Sequence, residues 1–391
     1  MLVYPYGKVP ATFAREGAQG GQAVLTGAGA SGIIEFMQIG IIGLPQTGKT
    51  TIFHALAGGE KAVATFSAGL LKIQTAVTSV PDQRVDRLSA MFNPRKTIYA
   101  KVTYADIGGL EKGVGKTGLP GPFVNQLGQM DAFVHVLRAF DDPAVPHSEG
   151  SIDIGRDLSI VDTEFLLNDL GTVERRLERI DQSIKKGASD REQAAKEKTL
   201  FDRMKEWLES EKPLRAMAMT SEEEQGVRGY GLLSLKPTLI VVNAGDEGAP
   251  ALQVDAPKTA VVALNGKLER EIAELAPDDA AMFMQEYGIS ELSRSRVIGL
   301  SYDLLGLHSF FTVGEDEVRA WTVGKGATAV EAAGAIHTDL AKGFIRAEVV
   351  AYHDLIELGG MNEAKNKGKF RLEGKEYVVK DGDIVHIRHN M

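Results

Sequence analysis

The sequence predicts an α/β fold: a P-loop NTPase parallel sheet with an inserted antiparallel coiled-coil hairpin and a small β-rich C-terminal domain. Three observations predict it. Gly43-Leu44-Pro45-Gln46-Thr47-Gly48-Lys49-Thr50 fits G-x-x-x-x-G-K-[ST], between the apolar run Ile39 to Ile42 and a helix-compatible stretch, Thr51 to Leu56. That order, strand then glycine loop then helix, is the phosphate-binding loop. Leu166, Leu170, Val173, Leu177, Ile180 and Ile184 are spaced 4, 3, 4, 3, 4, a seam along one helix. From about His308 onward short apolar and aromatic runs replace the longer pattern, as in a small sheet domain.

The bulk properties set bounds. At 391 residues the chain is long enough for two or three domains with their own cores. A net charge of -9 argues against a protein that coats nucleic acid, and no DNA partner is expected. The absence of cysteine excludes disulfides and thiolate metal sites and fits a reducing cytoplasm. No apolar run approaches the roughly 18 residues of a membrane span. Residues 1–36 are glycine-rich and lack both sustained periodicity and the layout of a signal peptide, so they read as a disordered extension before Met37.

From Met37 strand and helix alternate. Leu44, Pro45, Gln46, Thr47, Gly48, Lys49, Thr50 and Thr51 form the expected nucleotide cradle, in which backbone N–H groups and a helix N-terminus face phosphate. Lys49 reaches the β- and γ-phosphates, and the Thr50 hydroxyl ligates Mg²⁺. A loop carrying Thr65 and Ser67 is expected next. The strand-like Val102-Thr103-Tyr104-Ala105 then runs into Asp106-Ile107-Gly108-Gly109, a D-x-x-G motif. Asp106 would hold Mg²⁺ through water, and the Gly109 N–H would sense the γ-phosphate. Gly113 to Gly128 has the composition of a switch segment, and Ala132 to Leu137 reads as a buried strand.

The helical seam turns at Lys185 to Asp190 and returns through Leu200, Met204 and Trp207, ending before Pro213. Thr238 to Val242 resumes the sheet and leads into Asn243-Ala244-Gly245-Asp246, which has the place and shape of the guanine-reading N-K-x-D, with alanine for the lysine. Thr259 to Leu264 is a further strand, with Asn265-Gly266-Lys267 as a second base-side loop. Near the end, Tyr377 to Val379 and Ile384 to Ile387 flank Lys380-Asp381-Gly382-Asp383, a hairpin signal. Lys365, Lys367, Lys369, Arg371 and Lys375 would suit RNA backbone, or simply keep the domain soluble.

With these residues in view the chain resembles the YchF-type Obg-like ATPases from Met37 to the end. The resemblance rests on GLPQTGKTT at 43–51, DIGGL at 106–110, RAFDDP at 138–143, LKPTLIVVNAGDEG at 235–248, RAWTVGKG at 319–326, IHTDLAKGFIRAEV at 336–349 and GKFRLEGKEYVVKDGD at 368–383. It implies a nucleotide domain at 37–141 and 231–307, a coiled-coil insertion at 142–230 and a TGS domain, a β-grasp-like module, at 308–391. It also implies slow Mg²⁺-dependent ATP hydrolysis and association with the ribosome or ribosomal RNA. Leu110 stands where related GTPases carry the glutamine that orients water, and its side chain can neither donate nor accept a hydrogen bond. The chain departs from the family in Asp246 where glutamate is usual, Leu70 at the expected switch threonine, Gln46 for asparagine and Thr47 for a small apolar residue. The expected function is a cytoplasmic ATP-driven switch. The alternatives are a GTPase of the same class, which Asp246 favours and Ala244 disfavours, and a nucleotide-gated ribosome- or RNA-binding module with vestigial hydrolysis.

Overall fold

The computed structural model describes residues 37–58, 63–68, 71–107, 118–186, 191–287, 289 and 291–390. Up to residue 264 the chain contributes strands β1 (Gln38–Ile42), β2 (Val63–Ala68), β3 (Leu71–Ser79), β4 (Lys96–Ile98), β5 (Lys101–Ile107), β6 (Ala132–Ala139), β7 (Thr238–Ala244) and β8 (Thr259–Leu264). Seven of them form one sheet in the order β2-β3-β5-β1-β6-β7-β8. From β5 to β8 the pairing is parallel, whereas β2 and β3 are antiparallel additions at the edge. Parallel strands are covered on both faces and therefore need nearly continuous apolar runs. β7 meets that demand, with every residue buried. The order places the end of β1 between β5 and β6, so the loop that follows it opens beside residues from both neighbours.

Helix α1 (Lys49–Ala57) packs Ile52, Phe53 and Leu56 into the core beneath the sheet. α2 (Gln83–Phe92) starts on Asp82, whose carboxylate accepts from Arg84 N at 2.9 Å. α3 (Gly121–Gln129) lies in the connection between β5 and β6. The long α4 (Ile154–Lys185) and α5 (Arg191–Glu209) make the expected antiparallel hairpin. Its seam buries Val173, Leu177 and Ile180 against Leu200, Phe201, Met204 and Leu208. Ion pairs Arg176–Glu197 at 2.7 Å and Lys205–Glu174 at 3.0 Å cross its outer faces.

Where α4 leaves the sheet, Asp169 is fully buried, and its carboxylate accepts from Leu233 N at 2.9 Å and Ser234 N at 2.7 Å. Asp169→Ala should cost about 2–4 kcal/mol, because two buried N–H groups lose their acceptor. A urea midpoint unchanged from wild type would show that this contact does not anchor the hairpin.

The chain returns through α6 (Ser221–Val227), whose capping box pairs Thr220 with Glu223, and then through α7 (Gly266–Glu274), α8 (Pro277–Glu286) and α9 (Ser293–Leu304). A second sheet is built from β9 (Leu307–Val313), β10 (Glu317–Gly324), β11 (Phe344–Ala351), β12 (Arg371–Glu373) and β13 (Asp383–His389), in the order β12-β11-β13-β9-β10-β4. Its last member comes from the first half of the chain: β4 pairs in parallel with β10. One core cluster contains both Ile39 and Leu239 of the first sheet and Phe311, Val318 and Ile384 of the second. On the other face of the second sheet, α10 (Ala329–Ile336) lays Ala329, Ala332 and Ala333 on Phe310, Val349 and Val385.

Two expectations need correcting. Thr65 and Ser67 lie on strand β2, paired with Gln74 and Lys72 of β3, and not in a loop. The edge of β3 supplies the ladder that this short polar segment lacks by itself. The tail does not form a hairpin across residues 380–383. Instead Asp383 accepts from Lys380 N at 2.9 Å and from the Tyr377 hydroxyl at 2.7 Å, Val379 N bonds to Ala327 O at 2.9 Å, and β13 pairs with β11 and β9. The aspartate side chain closes the turn and sends the two arms to different partners. The expectations for residues 1–36, Leu70, Gly109, Leu110, Gly113 to Thr117 and the turn at 187–190 lie outside the described residues.

Candidate phosphate-binding site

The loop after β1 is shaped by backbone positions that few residues tolerate. Gly43 has φ 145° and Gly48 φ 90°, and Gln46 between them takes the left-handed φ of 65°. A Cβ on Gly43 would lie 2.4 Å from Val136 O, and one on Gly48 would lie 2.3 Å from the Asn243 side-chain nitrogen. The two glycines thus permit the turn and the close approach of β6 and β7.

Inside the loop, Leu44 O accepts from Thr47 Oγ1 at 3.1 Å and from Lys49 Nζ at 2.7 Å. Lys49 is only 8% exposed, and burial pushes its pKa down to about 8 although the charge of Asp106 works the other way. An ammonium dried by burial and served by one carbonyl gains strongly when an anion arrives. The first turn of α1 and the end of β5 meet next to it. Thr50 Oγ1 donates to Asp106 Oδ2 at 2.8 Å, a proximity set by the parallel register that pairs Ile41 with Asp106.

A hydroxyl and a carboxylate side by side are hard oxygen donors, the kind Mg²⁺ takes, and Mg²⁺ commonly completes its octahedron with substrate phosphates and water. Among the described residues no three His, Asp or Glu side chains gather into a metal site. Thr50 and Asp106 therefore fit a metal that arrives with a phosphate ligand, not one caged by protein alone.

The base side is wired to the loop. Asn243, 4% exposed, donates from its side-chain amide to Thr47 O at 3.0 Å and accepts from Gly266 N at 3.0 Å. Both ends of the amide are thus engaged in joining the loop to the start of α7. Asp246 is exposed, with Oδ1 accepting from the Asn265 side-chain amide at 2.9 Å, while Asn265 Oδ1 caps α7 through Leu268 N at 3.1 Å. Ala244 is buried beneath them. Sequence reasoning gave no role to Arg138 or Phe140, which also stand at this end of the sheet. Arg138 Nε donates to Phe140 O at 3.0 Å, and the guanidinium lies over the Phe140 ring, 4.5 Å from its centroid. The only signal was the RAFDDP block.

Residues 307–390 match the family model YchF-GTPase_C, described as a protein of unknown function (DUF933). The chain is 42% identical over 366 residues to the "Ribosome-binding ATPase YchF" of Bacillus subtilis (strain 168), covering 90% of this chain and 99% of the relative. The chain belongs to the YchF family. The YchF of Escherichia coli O157:H7, which bears the same name, is 38% identical over 361 residues, with 90% and 99% covered. The solved "YchF GTPase" of Schizosaccharomyces pombe superposes with a TM-score of 0.77 at 29% identity, covering 90% of this chain and 97% of that one. Within the YchF family the names of these relatives differ over the nucleotide, ATPase for the bacterial proteins and GTPase for the yeast structure. For this YchF chain the question therefore turns on the loop from Asn243 to Gly248.

Proposed function

We propose that this YchF protein binds Mg²⁺·ATP at the loop 43–51, hydrolyses it slowly, and uses the nucleotide state to govern association with the ribosome in the cytoplasm. The observation that carries the reading is the buried Lys49 ammonium beside the Thr50–Asp106 pair. Lys49 neutralises phosphate charge, and Thr50 and Asp106 hold the magnesium. Mg²⁺, when bound, supplies charge neutralisation at the β- and γ-phosphates. The rest is positioning by the chain's own groups: loop N–H groups on the phosphates, the Gly109 N–H on the γ-phosphate, and at Leu110 a side chain that cannot steer water. Hydrolysis is slow for that reason. Residues 37–141 with 231–307 act as the nucleotide domain, 142–230 as a projecting arm, and 308–391 as the TGS module. The bacterial relatives' names support the ribosome as partner.

Preference for ATP is supported by Ala244, which puts no lysine stem across the base, and by Gly245, which frees the backbone next to it. The GTPase reading keeps one observation in its favour, the exposed Asp246 carboxylate, which could take both guanine donors. Sedimentation of the purified protein with 70S ribosomes tests the switch. Co-sedimentation should differ severalfold between ADP and a non-hydrolysable ATP analogue, and ribosomes should raise ATP turnover. Identical pelleting in both nucleotide states would remove the switch.

A further inference from the structure

We infer that Arg138, on β6, is a positioning residue for the nucleotide's phosphates and acts through the Gln46–Thr47 peptide of the loop; this rests on the phosphate-site reading above. Arg138 is among the largest fully buried side chains, 1% exposed, yet it forms no ion pair among the described residues. Arg215, the other arginine among the buried residues, by contrast faces a carboxylate, Asp162, at 3.3 Å. A guanidinium cannot shed its proton, and an uncompensated buried cation is costly. Its acceptors are two backbone carbonyls, Phe140 O at 3.0 Å and Gln46 O at 3.5 Å. The anion that balances it is thus not supplied by the described protein.

The second acceptor shows the route. In a planar trans peptide the C=O and N–H point in opposite directions. A cation donating to Gln46 O from behind therefore strengthens the Thr47 N–H as a donor on the other side. That N–H is one of the loop amides the motif directs at phosphate. The next peptide is held in the same way, since Thr47 O accepts from Asn243 at 3.0 Å. Arg138 and Asn243 are cross-strand partners on β6 and β7, so two adjacent positions of the sheet grip two consecutive loop peptides. The grip also accounts for Gln46 keeping a left-handed φ of 65°.

The test compares Arg138→Gln and Arg138→Lys in the full chain, with ATP and ADP as ligands. Loss of the charge should raise KM and the ADP dissociation constant together, by about 10- to 100-fold, with kcat within about threefold, because the contact is the same in ground and transition states. Arg138→Lys, which keeps a cation beside Gln46 O, should recover most of the loss. A merely structural role would lower the melting temperature of both variants and leave KM unmoved, and that outcome overturns the inference. Should Arg138→Gln not fold, Arg138→Met takes its place with the same readouts, and a folded neutral variant with wild-type KM and wild-type ADP affinity contradicts the inference. A wild type that binds neither ATP nor ADP overturns the phosphate-site reading itself.

Discussion

Lys49→Ala is expected to raise the ATP dissociation constant by about 10²–10³-fold while leaving the fold at least as stable as wild type. The loss follows from removing one side of a desolvated charge pair, typically 2–5 kcal/mol. The stability follows from the opposite effect in the empty loop. Burial holds the Lys49 pKa at about 8 against 10.5 in the unfolded chain, so the buried charge opposes folding by about 3 kcal/mol at neutral pH. Between pH 8 and 10.5 the unfolded chain carries more protons, so this opposition fades as pH rises and is complete below about 8. Phosphate reverses the preference by favouring the ammonium. ATP affinity should therefore be full below pH 8 and fall by up to tenfold per unit above it, with proton uptake on binding. Calorimetry in two buffers of different ionisation enthalpy measures the uptake. Binding by Lys49→Ala at wild-type affinity, with matched melting, would take the site away from this loop.

Asp106→Ala should lower ATP turnover by about 10²–10³-fold and flatten its magnesium dependence, since a metal's charge stabilisation contributes several kcal/mol and needs an anchor. The Thr50 hydroxyl, now donating to Asp106 at 2.8 Å, would lose that acceptor, and the pair would be left with one oxygen to hold the metal. Turnover measured across a magnesium titration decides the matter. A wild-type magnesium midpoint in Asp106→Ala would mean that the metal is held elsewhere.

What could be read from the sequence was local or periodic. The loop 43–50 declares itself because its chemistry is consecutive, and β7 does so because a strand buried on both faces must be a continuous apolar run. The α4 seam is visible because a helix repeats its contacts every three or four residues. The remainder depends on partners distant in sequence. β4 is three residues with Lys96 and Thr97 exposed, and it is a strand because β10 offers an edge. The Asp381–Gly382 turn looks like a hairpin until Asp383 is seen closing it on Lys380 and Tyr377. Asn243 reads as part of a base-side motif, and the bonds by which its amide joins the loop to α7 come from partners far away in sequence. Arg138, within an apolar strand, acquires meaning only once β6 is laid beside the loop.

The most direct measurement is competition between ATP and GTP for the purified wild-type protein in the presence of magnesium, repeated on Asp246→Ala. Adenine presents one exocyclic donor and a ring acceptor, so a carboxylate against N1 meets a lone pair and loses its water. Guanine presents two donors that one aspartate can satisfy together. The account predicts that ATP wins in both proteins, with little change in ATP affinity on removing Asp246. Tighter GTP binding by the wild type, lost in Asp246→Ala, would contradict it and make the protein a GTPase.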